Sequence, residues 1–150
     1  MKNHFVIDTS VYLTYASYDK IYRLENAVTM YELVVYINQQ LLDELQSNLP
    51  KVIVAKDVSA KKLLDIISSF TVEVDVKPIF KESPDPKDNF LFDLALQTGS
   101  EVIVTQEKAL LGFAKSPIPI RNIKWFKENF SRSAVNTFTL FTKADTLNVL

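Results

Sequence analysis

The chain has no cysteine among its 150 residues. That excludes a disulfide framework, a thiolate zinc site and a cysteine nucleophile. It holds a single histidine, His4, ahead of the first strand-like run, so histidine-based acid–base chemistry is not expected. Glycine occurs twice, at Gly99 and Gly112. Neither a dinucleotide-binding glycine turn nor a P-loop can be written with them, which removes the usual phosphate-cradling sites. Both glycines suit the C-terminal ends of helices. No apolar run approaches the roughly 20 residues that cross a bilayer. The short apolar stretch near the N-terminus is interrupted by Asp8, against an ordinary signal peptide. A soluble cytoplasmic protein without membrane contact is the expectation. Charge of neither sign dominates: 17 basic side chains face 18 acidic ones, for a net charge of −1. No strong basic field advertises nucleic acid, although a neutral total leaves room for uneven distribution.

What is present is an apolar, well-punctuated chain. Hydrophobic residues make up 47% of it, enough for one domain with a sizeable core. Residues 5–7 read as a short buried strand, and a helical region follows to about residue 30. There Tyr12, Tyr15, Tyr18 and Tyr22 recur at helical spacing. Such a row packs one face on the sheet or a partner; base stacking is the alternative. Residues 33–37 form a second β-branched run, followed by a helix to Leu49, which Pro50 is expected to stop. Residues 59–69 resemble an amphipathic helix. Val72, Val74 and Val76 alternate with polar residues, the pattern of a half-exposed edge strand. Asp85 reads as an N-cap with Pro86 in the first helical position, opening a helix that ends at Gly99. Residues 101–104 form the next buried strand, 105–111 a short helix and 118–120 a last central strand, with a further helix near Trp125. Strands alternating with helices predict right-handed crossovers and a three-layer α/β/α sandwich with a mostly parallel central sheet. Residues 1–130 are assigned to that domain. The remainder, 131–150, carries Val135, Phe138, Leu140 and Phe141 and is expected to pack on the domain or on a second subunit.

Four acids stand at recurring places in this pattern. Asp8 closes the first strand, Glu44 lies on the helix after the second, Asp88 follows the cap at Asp85, and Glu107 follows Val102-Ile103-Val104-Thr105-Gln106. In an open parallel sheet the carboxyl ends of the strands converge on one crevice, so acids distant in sequence can meet there. Clustered carboxylates repel unless a positive charge holds them together, and a divalent metal is the usual candidate. Each acid also has a plainer reading. Asp8 suits a turn or cap, with Thr9 and Ser10 available to cap the next helix. Glu44 lies nearer the apolar face of Leu41, Leu42, Leu45 and Leu49 than Asp43 does. Asp88 and Glu107 each suit a first helical turn electrostatically. Asp93 points away from the apolar stripe of Phe90, Leu91, Leu94 and Ala95 and ranks below the others.

The order of these motifs resembles a PIN domain, nearest to the toxin-like (VapC-like) bacterial branch, over about residues 4 to 128. The family's opening Asp-Thr-Asn resembles Val6-Ile7-Asp8-Thr9-Ser10, and its helix glutamate resembles Glu44. The most specific stretch runs from Asp85-Pro86-Lys87-Asp88-Asn89 through Ala95 and Gly99 to Thr105-Gln106-Glu107-Lys108-Ala109-Leu110-Leu111. The resemblance implies a metal-dependent endoribonuclease, leaving a 5′-phosphate and a 3′-hydroxyl, acting as a toxin paired with a small antitoxin protein or as an RNA-processing enzyme; a homodimer is a separate expectation. It implies Asp8, Glu44, Asp88 and Glu107 as catalytic and Mg²⁺- or Mn²⁺-binding carboxylates, with Asp8 and Asp88 the main ligands. Thr105 and Ser10 would position the site, and Lys87 and Lys108 would meet RNA phosphates. Two residues depart from the family pattern. Glu107 stands where aspartate is usual, displacing a carboxylate by about one bond length, and misplacement by about 1 Å can cost roughly 10²-fold in rate. Ser10 replaces an asparagine, with a different hydrogen-bonding inventory. The alternative is therefore a catalytically weakened module that binds RNA or protein without turnover. A phosphotransferase using Asp8 as nucleophile is disfavoured, because Ser10 occupies the position where its second aspartate would stand.

Overall fold

The apolar run that opens the chain becomes the middle of the molecule. The computed structural model describes residues 3–131. Its strands are β1 (Asn3–Ile7), β2 (Leu33–Ile37), β3 (Val72–Glu73), β4 (Val102–Val104) and β5 (Ile120–Arg121). They form one sheet in the order β3-β2-β1-β4-β5, with every neighbouring pair parallel. Phe5, Val6 and Ile7 of β1 and Val102, Ile103 and Val104 of β4 are all buried. Continuous apolar runs of this kind belong to strands covered on both faces.

The helices are α1 (Thr9–Ser17), α2 (Ile21–Met30), α3 (Gln39–Val52), α4 (Ala60–Phe70), α5 (Asn89–Thr98), α6 (Lys108–Leu111) and α7 (Ile123–Asn129). From β1 the chain steps outward to β2 and β3 through α1 to α4, then returns across the sheet to β4 through α5. Right-handed crossovers taken in opposite directions place these two helix sets on opposite faces. The packing agrees: α1 to α4 touch one another, whereas α5 lies against β1, β2 and β4. This is the expected three-layer sandwich. Asn38 caps α3 through the Leu41 amide at 3.0 Å, and Ser59 caps α4 through the Lys62 amide at 3.1 Å, each satisfying an otherwise orphaned first-turn donor. Gly99 ends α5 at φ 69°, the left-handed conformation that glycine adopts without penalty.

Several boundaries differ from those expected. The first helical region breaks in two at Tyr18–Lys20, where Asp19 turns left-handed at φ 55° and the Lys20 amide reaches back to the Tyr15 carbonyl at 2.8 Å. Aspartate tolerates that conformation better than most residues. The break separates the tyrosines: Tyr12 and Tyr15 are buried, while Tyr18 and Tyr22 are 70% and 52% exposed. They are not one packed face. Pro50 does not stop α3, which continues to Val52. Only the last turn lies beyond it, and Gln46, whose carbonyl loses its partner there, is exposed to water. Regular pairing in β3 is confined to Val72 and Glu73, both exposed, and β5 lies at the sheet edge rather than centrally. Helix α6 begins at Lys108, which leaves Glu107 at the N-cap position instead of inside the first turn. The assignment of residues 131–150 to a packed extension falls, but for Ser131, outside the described residues.

Candidate active site

All five strands run the same way, so their carboxyl ends form one rim, and the acids gather there. Asp8 follows β1 and serves as N-cap of α1. Its amide donates to the Val104 carbonyl of β4 at 2.8 Å, extending the β1–β4 ladder by one residue. That pairing delivers the Asp8 side chain to Thr105. The carboxylate is 2% exposed and accepts three hydrogen bonds: from the Thr9 amide at 2.7 Å, the Ser10 hydroxyl at 3.0 Å and the Thr105 hydroxyl at 2.8 Å. Burial pushes the Asp8 carboxyl above its ordinary range, while these three donors pull it back.

Thr105 is fully buried and acts in both directions. Its hydroxyl donates to Asp8 and accepts from the Glu107 amide at 3.1 Å. Ser10 links the same two segments by accepting from the Gln106 amide at 3.0 Å while donating to Asp8. Thr105 and Ser10 thus both hold Asp8 and the turn that carries Glu107.

Glu44 reaches the site from α3, where it is half-buried and Asp43 is exposed. It accepts from the Thr9 hydroxyl at 2.7 Å. Burial raises its affinity for a proton, the Thr9 bond lowers it, and the charges of Asp8 and Asp88 raise it further. Asp88 ends a 3-10 turn, Pro86–Asp88, that Asp85 caps through the Lys87 amide at 3.0 Å. Its carboxyl hydrogen-bonds that of Glu107. Asp88 is raised by burial and by the charges of Asp8 and Asp85, against that bond. Glu107 carries the shared proton and is pushed up to about 8, first by desolvation, then by the bond to Asp88 and the charges of Asp8, Asp88 and Asp85. The Glu107 residue as a whole is exposed; its carboxyl end is what lies against the other acids. Asp8 and Asp88 are therefore within electrostatic reach of each other and of both Glu44 and Glu107. Lys87 and Lys108 are both exposed beside them.

Two contributors were not singled out from the sequence for these roles. Thr9, read as a helix cap, instead ties Glu44 to the Asp8 turn, and the wait between them is 35 residues long in sequence. Tyr12, read as one of a row, is fully buried, and its hydroxyl has no hydrogen-bond partner among the described residues. Burial and then the charge of Asp8 raise that hydroxyl above its ordinary range. Only its place one turn after Asp8 on α1 signalled the connection. Asp93, expected to face away, is buried and accepts from two backbone amides.

A crevice of mutually repelling carboxylates at the carboxyl ends of a parallel sheet defines a class of acidic, cation-seeking α/β sites. The model of one family, the PIN domain, matches residues 4–109, and the chain belongs to that family. Similar solved structures include VapBC2 from Rickettsia felis bound to a DNA fragment from their promoter, at 17% identity and a TM-score of 0.55. That match covers 79% of this chain and 98% of that one. PAE2754 from Pyrobaculum aerophilum matches at 16% identity and a TM-score of 0.54, covering 84% and 95% of the two chains. A domain of a functionally unknown protein from Methanocaldococcus jannaschii matches at 20% and 0.51, covering 80% and 90%. At these identities the likeness is one of fold. No curated protein sequence matches the chain.

PIN domains generally use divalent metal ions. The donor set here suits a hard cation: every candidate ligand is a carboxylate oxygen, and burial with neighbouring negative charge raises both the Asp88 and the Glu107 carboxyl above their ordinary ranges. Among the described residues, however, no group of three or more acids stands in a metal-ligating arrangement. No described helix is long and apolar enough to cross a membrane.

Proposed function

We propose that this chain is a divalent-metal-dependent endoribonuclease of the toxin-like PIN branch. The observation that carries the reading is the four-acid crevice itself, in which Asp8, Glu44, Asp88 and Glu107 all hold protons more tightly than isolated carboxyls do. A site so arranged gains by exchanging protons for a cation. Asp8 and Asp88 would be the main ligands of Mg²⁺ or Mn²⁺, with Glu44 and Glu107 orienting water or holding a second ion. The chemistry such a metal would supply is polarisation of a phosphate oxygen and a lowered pKa of bound water. The protein's own part is geometric. Thr105, Ser10 and the Thr9 amide fix both oxygens of Asp8, Thr9 fixes Glu44, and the exposed Lys87 and Lys108 would meet substrate phosphates. Family and fold likeness to VapBC2 support a small antitoxin protein as partner, and a homodimer is compatible with the same family. A cytoplasmic location follows from that role.

The test is cleavage of a defined RNA by the purified chain with added Mn²⁺ or Mg²⁺. Cleavage that stops with EDTA and in Asp8→Asn supports the reading; full cleavage in EDTA, or in that variant, sinks it. A second reading, an RNA- or protein-binding module without turnover, is favoured by the lack of a preformed ligand triad among the described residues. Glu107→Asp separates the two, since activity appearing or rising in that variant counts against the second.

A further inference from the structure

Segment 77–83, between β3 and the turn bearing Asp88, has no regular secondary structure, yet its backbone is held along most of its length by one row of side chains. Asn89, Asp93 and Gln97 stand four residues apart on α5, so they share one face. Gln97 accepts from the Lys77 amide at 2.9 Å and donates to the Lys77 carbonyl at 2.7 Å. One oxygen of Asp93 accepts from the Ile79 and Phe80 amides at 3.0 and 2.8 Å. Asn89 accepts from the Ser83 amide at 3.0 Å. Phe80 adds an apolar anchor, stacking on Phe92 of α5 with centroids 4.5 Å apart.

The Asn89–Ser83 bond closes a small ring around residues 84–88, which hold Pro84, Asp85, Pro86, Lys87 and Asp88. Two prolines fix φ within it. Asp93 is the costly member of the row. Asp93 is 4% exposed in a helix whose neighbours Phe90, Leu91, Phe92, Leu94 and Ala95 are buried, and burying a carboxylate is unfavourable unless it is hydrogen-bonded, as this one is by two backbone amides.

We infer that Asp93, with Asn89 and Gln97, is a positioning residue for Asp88: the three side chains clasp segment 77–83 to α5 and so fix the turn that presents Asp88 to the crevice. The inference rests on the nuclease reading for its kinetic consequence but not for its structural one. Asp93→Leu removes the oxygen that accepts both bonds, and Asp93→Asn keeps an amide oxygen that can accept the same two N–H groups. On the full chain, the Leu variant is expected to lose kcat by about 10²-fold, the cost of roughly 1 Å of misplacement, with KM for RNA nearly unchanged. The Asn variant recovers most of the rate. Backbone order parameters of residues 84–88 are expected to fall from about 0.85 toward 0.6 in the Leu variant and to hold in the Asn variant. Gln97→Ala, at an exposed position, gives a smaller change in the same direction should the Leu variant not fold. If wild-type protein does not cleave RNA, the nuclease reading fails while the order parameters still decide the clasp. Unchanged order at 84–88 in folded Leu or Ala variants overturns it, as does an Asn variant as impaired as the Leu one.

Discussion

Replacing Thr105 by valine keeps the shape of a fully buried side chain and removes only its hydroxyl. Two interactions go with it. The Asp8 carboxylate loses a donor at 2.8 Å and the Glu107 amide loses an acceptor at 3.1 Å. A buried hydrogen bond to a charged group is worth about 1.5–3 kcal/mol and a neutral one about 0.5–1.5 kcal/mol, so the combined loss is about 2–4 kcal/mol. With m near 1–3 kcal/mol/M in urea, the midpoint should fall by roughly 1–2 M at unchanged m. The chain's one tryptophan, Trp125, reports unfolding well because it packs edge-on to Phe5 and Phe130 at 6.1 and 5.8 Å. The pH dependence supplies an independent check. Asp8 already holds its proton more tightly folded than unfolded, so its contribution is most favourable below its ordinary value of 3.8 and is lost as pH rises through the raised one. Without the Thr105 donor that loss deepens, and the penalty of the substitution grows from acid to neutral pH. A midpoint unchanged at pH 7, a penalty independent of pH, or a Thr105→Ser variant weaker than the valine one would refute the reasoning.

Glu107 gives a second pH effect with the same sign. Its folded value near 8 lies above its ordinary 4.5, so stability declines as pH rises across that window. Urea midpoints at pH 5 and pH 8 should show the slope in wild type and a flatter one in Glu107→Gln; a slope untouched by the substitution argues against the shared proton. At Gly99, a Cβ meets no atom within 4 Å but φ is 69°. Gly99→Ala therefore costs only backbone strain, about 1–2 kcal/mol, read as a fall in melting temperature of roughly 2–8 °C; no change would mean that the left-handed turn is not retained in solution.

The sheet was legible because its strands are nearly pure β-branched runs. Leu33 to Ile37 and Val102 to Val104 can be little else, and their alternation with helices determines the layers. Asp8 and Glu107 were legible as positions because each comes just after such a run, and Glu44 and Asp88 because one lies on the helix after β2 and the other behind the cap at Asp85. Their interactions were not. The Thr9–Glu44 bond and the Asp88–Glu107 proton depend on contacts between distant segments, which no local pattern encodes. Asp93 was misplaced for a related reason. A charged residue off the apolar stripe of a helix ordinarily faces water, and here an irregular segment covers it, offering backbone amides that leave no trace in side-chain periodicity. The break at Asp19 lacked glycine or proline to announce it. Pro50 announced an end that came one turn later, because a proline near a helix terminus frees a carbonyl that solvent can satisfy.

The central place of β1 bears on how the molecule comes into being. Strand β1 has two edges to fill. Its partner on one side, β2, pairs Phe5 with Val35, but on the other side Val6 waits for Ile103 of β4. Pairing across so long a stretch of chain is slow to form. Until β4 arrives, β1 presents an open, apolar edge of the kind that recruits other chains. Asp8 meanwhile lacks Thr105, and Asp88 lacks Glu107. Chains truncated before residue 102 are therefore expected to be both chemically silent and prone to self-association. The arrival of β4 and the turn that follows it both covers that edge and brings Thr105 and Glu107 to Asp8 and Asp88.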